Sequence, residues 1–153
     1  MKQYDELILN YGGDVLRSPG MQKEKTFLQH GTVSVYAHSL AVTRTCVRMD
    51  LALHLHADLR TLIRGALLHD YFLYDWHDPD PSHRWHGFIH PRISLRNARR
   101  DFTLNAKEEN MIRSHMFPMV LPIPRCRESV ILCLADKYCA MKETLFCRKH
   151  RKG

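Results

Sequence analysis

An adjacent histidine and aspartate, His69 and Asp70, sit inside an otherwise apolar run, Gly65-Ala-Leu-Leu-His-Asp-Tyr-Phe-Leu73. An ionised carboxylate in such surroundings is costly unless a positive partner holds it. Arg64 lies more than a helical turn back, and no Lys or Arg follows before Arg84. A metal ion answers the need economically, because it accepts both a neutral imidazole and a carboxylate oxygen.

Further ligands of the same kind occur on apolar helix faces. His38 lies in Ser34-Val-Tyr-Ala-His-Ser-Leu-Ala-Val42, with Val35, Ser34, Ala41 and Val42 as its same-face neighbours. Asp136 lies in Val130-Ile-Leu-Cys-Leu-Ala-Asp-Lys-Tyr-Cys-Ala-Met141, flanked on its face by Leu132, Cys133, Cys139 and Ala140. Taken singly, His38 reads as a hydrogen-bonded core residue and Asp136 as half of a buried ion pair. Taken together, His38, His69, Asp70 and Asp136 bring two imidazoles and two carboxylates from three helices to one core. A set without thiolate favours Fe, Mn, Co or Mg over structural zinc. His90 and His115 make room for a second divalent ion, with Asp70 between the two.

The elements that must position these residues are helical. Apolar residues recur at helical spacing, and no strand-like alternation competes. A short helix is expected over Tyr4–Asn10, then a loop through Gly12-Gly13 and Ser18-Pro19-Gly20. A second helix is expected from Met21 to His30, stopped by Gly31. Thr32 or Ser34 caps a long helix to about Leu55, and Asp58 caps another from Leu59 to about Tyr71. Residues 74–90, rich in Pro, His and Trp, read as a loop that could close over a site. Pro91 suits the first position of a helix to about Phe102, with His90 at its N-cap. Asn105 and Glu108 form a capping box for a helix ending near His115, and a last helix runs from Pro124 to about Phe146. The fold class is all-α, a compact bundle of about six or seven helices.

Composition narrows the class of protein. Apolar residues at 44% and charged residues at 25% describe a globular chain rather than a disordered one. At 153 residues one domain is expected, with a core over about 29–145 and a basic tail at 148–153. That tail supplies four of the seven net positive charges through Arg148, Lys149, Arg151 and Lys152, so nucleic acid is not an expected partner. No apolar run reaches bilayer length and no signal-peptide core opens the chain, so a cytoplasmic location without membrane contact is expected. The five cysteines form no C-x-x-C pair and read as reduced core thiols.

The constellation resembles the HD-domain metal-dependent phosphohydrolase superfamily, with its H…HD…D pattern on an all-α scaffold. His38 in YAHSLAV matches the first histidine, His69 and Asp70 in GALLHDY match the eponymous pair, and Asp136 in LADKY matches the last aspartate. His90 in HPRIS and His115 in IRSHM are similar to the two extra histidines of the binuclear subset. Where some binuclear members double the later histidine, this chain has Met116. The resemblance implies His38, His69, Asp70, His90, His115 and Asp136 as ligands of one or two divalent ions. It makes His69 and Asp70 the catalytic pair, Asp70 as a ligand and water-orienter rather than a free base.

The implied reaction is hydrolysis of a nucleotide or other small phosphate ester by a metal-activated water. Arg92, Arg96 and Arg99 share one helix face. Arg92 and Arg96, with Lys137 beside Asp136 and Arg84 in the loop, are candidate phosphate-binding cations, although an Arg row also serves as a solvated face. Trp76, Trp85 and Tyr74 could stack a base or simply pack the loop. Two other readings share the ligand set: a di-iron HD-type oxygenase and a non-catalytic metal-dependent nucleotide-binding module. Oligomeric state stays open, a homo-oligomer included.

Overall fold

The computed structural model describes residues 2–30, 32–75, 77, 81 and 85–150. The architecture is all-α, as the sequence implies. The helices are α1 (Lys2–Leu16), α2 (Pro19–Lys23), α3 (Val35–Leu53), α4 (Leu59–Leu68), α5 (His86–Asp101), α6 (Ala106–Ser114) and α7 (Arg127–His150). Among the described residues no helix is long and apolar enough to cross a membrane.

Helix α4 is the centre of the bundle. Every residue from Thr61 to Leu68 is buried, and a helix covered on all sides needs apolar residues all round. Leu62, Ile63, Ala66, Leu67 and Leu68 meet that need, splitting between one core shared with α1 and another shared with α3, α6 and α7. The exception, Arg64, donates to Glu108 at 3.0 Å and pairs with Asp14. It is therefore committed away from Asp70. Gly65 lets α6 approach, because a Cβ at this position would collide with the side chain of Met111. Asp58 caps α4 by accepting from the Thr61 amide, and Asn105 and Glu108 form the expected capping box on α6.

Several boundaries differ from the sequence reading. α1 continues through Gly12-Gly13 to Leu16, because Gly12 packs against Ile63 and Leu67, where a side chain would not fit. The expected helix over Met21–His30 is instead α2, a 3₁₀ turn (Glu24–Thr26) and a strand β1 (Leu28–His30). β1 pairs antiparallel with β2 (Val33–Ser34), and Ser34 then caps α3 by accepting from the Ala37 amide. α5 begins at His86 instead of the expected Pro91. Pro91 lies inside it, in the second turn. Pro91 lies past the orphan amides of the first turn, so the α5 ladder lacks the amide that would bond the Gly87 carbonyl. α7 begins at Arg127 rather than Pro124.

Candidate metal centre

Five helices converge on one buried cluster through their ends and faces. His38 comes from the first turn of α3, and His69 and Asp70 follow the last residue of α4. His90 is in the second turn of α5, His115 follows α6, and Asp136 is mid-way along α7. None of the six is more than 8% exposed. They form two groups with metal-compatible spacing: His38, His69 and Asp136, then Asp70, His90 and His115.

Asp70 sits between the groups. Its Oδ2 lies 3.4 Å from His69 Nε2 and 3.8 Å from His38 Nε2, while Oδ1 lies 3.2 Å from His90 Nε2 and 3.4 Å from His115 Nε2. Gln29 Nε2 donates to Oδ2 at 2.6 Å. Asp136 Oδ1 is 3.0 Å from His38 Nε2 and 3.6 Å from His69 Nε2.

The histidine rings are oriented by their other nitrogens. Nδ1 of His69, His90 and His115 faces a backbone carbonyl, of Ala66 at 2.7 Å, His86 at 2.8 Å and Ile112 at 2.8 Å. A carbonyl only accepts, so each Nδ1 carries the hydrogen and each neutral ring turns an Nε2 lone pair inward. His38 Nδ1 is held by Glu143 instead, at 2.9 Å from Oε2.

This arrangement fits a metal ion on its own terms. His90 Nε2 and His115 Nε2 approach to 2.9 Å with both lone pairs turned toward the same space. His69 Nε2 and Asp70 Oδ1 are buried without a hydrogen-bond partner. Buried orphans of this kind are costly unless a cation shares them. No thiol belongs to either group.

Burial and neighbouring charge shift the ionisation of the cluster in opposing directions. Burial pulls His38 down, but its hydrogen bonds to Asp136 and Glu143 outweigh it and hold the imidazole well above its ordinary value. Burial opposes ionisation of Asp70, yet the positive charge that His69 takes when protonated, then the neighbouring His115 and His90 imidazoles, hold it well below the carboxylate range. Burial is outweighed in the same way at Asp136 by the His38 hydrogen bond and the adjacent His69 imidazole. His115 goes down because of its burial.

The expected phosphate-binding cations are not gathered here. Arg92 and Arg96 are exposed on α5, and Arg99 is paired with Glu109 at 2.6 Å. Lys137 Nζ donates to the carbonyls of His115 at 3.2 Å and Cys133 at 3.4 Å. Arg84, His83 and Trp76 lie outside the described residues. Trp85 is exposed against Phe88, and Tyr74 packs on Phe72 and His86. His86, expected in the loop, is the first residue of α5 and stacks on His90 at 4.6 Å.

Three residues escaped the sequence reading. Glu143 lies seven residues after Asp136, two turns along the same face of α7, so helical spacing could have found it. Gln29 reaches Asp70 from β1, which the sequence reading took for helix. Glu24 is fully buried in the 3₁₀ turn, and neither of its carboxylate oxygens has a hydrogen-bond partner. Burial, then the nearby Asp70, push its carboxyl well above the usual range.

The family model for the HD domain matches residues 35–141, spanning His38, His69, Asp70, His90, His115 and Asp136. The chain belongs to the HD-domain family, whose members are generally metal-dependent phosphohydrolases. Comparison with curated proteins and with solved structures gave no significant match.

Proposed function

We propose that this protein is a metal-dependent phosphohydrolase acting on a nucleotide or other small phosphate ester. The observation that carries the reading is Asp70, which presents one oxygen to each of two buried histidine groups. His38, His69 and Asp136, with Asp70, would hold one divalent ion, and Asp70, His90 and His115 a second. The thiolate-free donor set suits Fe, Mn, Co or Mg better than Zn. Such ions supply Lewis acidity and a water of lowered pKa.

The chain's own residues perform the positioning. Backbone carbonyls and Glu143 fix the four imidazole tautomers, so that every Nε2 faces inward without reorganisation. Gln29 holds Asp70 Oδ2 and leaves Oδ1 turned toward His90 and His115. Asp70 and His69 are the catalytic pair in this reading, Asp70 orienting a water by hydrogen bonding. Arg92, Arg96, Lys137 and Arg84 are the candidate hands for phosphate oxygens beyond the centre. The chain acts as one HD-type domain over 1–153. The buried free thiols of Cys46, Cys133 and Cys139 suit a reducing cytoplasmic setting.

Metal analysis of chelator-free protein, paired with a phosphate-release panel of nucleotides and sugar phosphates, tests this. Stoichiometric metal and turnover are expected in the wild type, with metal lost in His38→Ala and Asp136→Ala but kept in His150→Ala. Dioxygen consumption without phosphate release would move the assignment to an HD-type oxygenase. Metal-dependent nucleotide binding with no turnover would leave a binding module.

A further inference from the structure

Helix α7 is apolar on two opposite sides. Its inward side places Leu132, Ala135 and Cys139 in the core and brings Asp136 to the candidate metal centre. A helix buried on one side only is ordinarily polar on the other, and α7 is not. Val130, Leu134, Tyr138, Met141 and Leu145 follow at steps of four, four, three and four, which places them in a single stripe along the helix. Each is between 44% and 59% exposed, so the stripe faces away from the core.

The apolar surface continues beside the helix. Met119, Leu121 and Ile123, in the loop that enters α7, are also exposed. Asn110 of α6 holds this loop against the first turn of α7, its Oδ1 accepting from the Arg125 amide at 2.8 Å and from Ser129 Oγ at 2.7 Å. Charge does not select what covers the face. No carboxylate lies on the stripe, since Glu128 is buried beside Lys107 and Glu143 reaches His38. Arg127 donates to the carbonyls of Leu55 and His56, and Lys137 to those of His115 and Cys133. Lys142 stands at the rim, where a charge keeps its water.

We infer that this face pairs with the same face of a second copy of the chain, forming a two-fold dimer through α7. The five side chains leave roughly 450–500 Å² uncovered, the apolar share of the ~800 Å² that each partner brings to a standard interface. Two-fold pairing requires no other surface, because one patch meets itself. With the axis at the middle of the stripe the two helices run antiparallel, Tyr138 meets Tyr138, and Leu134 meets Met141. The dimer thereby braces from outside the helix that carries Asp136 and Glu143 on its other side.

Sedimentation equilibrium of metal-loaded full-length protein tests this, and the wild type is expected to be a dimer at micromolar concentration. Leu134→Glu/Met141→Glu should weaken dimerisation at least about 100-fold while keeping the helical circular dichroism and metal content of the wild type. Leu9→Glu, at an exposed apolar position of α1, should remain dimeric. Tyr138→Cys should give a disulfide-linked dimer in oxidised glutathione, and Leu9→Cys should not. This cross-link decides the matter if the double variant fails to fold. A wild type still monomeric at about 100 µM would overturn the inference. So would a dimer indifferent to Leu134→Glu/Met141→Glu, a dimer lost in Leu9→Glu, or no cross-link in Tyr138→Cys. A monomer that co-sediments with phosphatidylserine vesicles would overturn it as well and give the stripe to a membrane surface.

Discussion

Glu143 and His38, 105 residues apart in sequence, are joined by a carboxylate–imidazole contact of 2.9 Å at Nδ1. Glu143 thereby fixes the tautomer that turns His38 Nε2 toward Asp136 and Asp70. Outer carboxylates of this kind are worth roughly 10–100-fold in metal affinity. Glu143→Gln should weaken metal binding by about that factor, measured by competition with a chromophoric chelator, whereas His38→Ala should abolish binding at its group. Equal affinity in Glu143→Gln and wild type would remove Glu143 from the centre.

Proton release gives a second prediction. His38 and His69 are both raised above 6.5 in the ion-free protein, against burial, by Asp136 and Glu143 at His38 and chiefly by Asp70 at His69. A raised folded value favours the native state fully below 6.5, and that contribution disappears as pH rises through the folded value. Asp70 and Asp136 are depressed below 3.8, so their contribution is present above 3.8 and lost as pH falls through the folded value. Metal must displace the imidazole protons, so its affinity rises with pH. Melting temperatures of chelated and metal-loaded protein, from about pH 5 to about pH 9, should therefore diverge with increasing pH. A constant gap would contradict the assignment of His38 and His69.

Glu24 should behave as a buried neutral acid in the chelated protein. Its raised value means that the unfolded chain ionises above 4.5 while the native state keeps its proton, so stability falls as pH rises above 4.5. Glu24→Gln removes this penalty without changing shape. The variant should melt several degrees above wild type at alkaline pH, with the difference vanishing near 4.5. A variant that melts lower at every pH would mean that the ionised carboxylate has a partner.

Gly65 sets the approach of α4 to α6, which carry His69 and His115 at their C-terminal ends. Gly65→Ala forces Met111 to move, an overpacking cost of about 1–3 kcal/mol. The displacement also alters the 5.0 Å ring separation of His69 and His115. Lower melting temperature with weaker metal retention is the expected pair of results in denaturation and dialysis experiments. Lower stability with unaltered metal retention would uncouple the packing from the centre.

The sequence by itself determined the helical class, the caps at Asp58 and Asn105, and the six residues that the fold brings together, while the choice of Ser34 over Thr32 as the cap of α3 came from the structure. These were legible because a charged or imidazole side chain on an apolar helical stripe violates local patterning, and the violation survives without knowledge of the partner. It did not determine β1, the early start of α5 at His86, or the parts played by Gln29 and Glu24. A five-residue helix, a 3₁₀ turn and a short strand have too few residues for periodicity to distinguish them, so packing decides. Which oxygen of Asp70 faces which histidine pair belongs to tertiary structure alone. That direction is fixed by four helices and the Gln29 amide meeting at one point, and no local stretch of chain contains them.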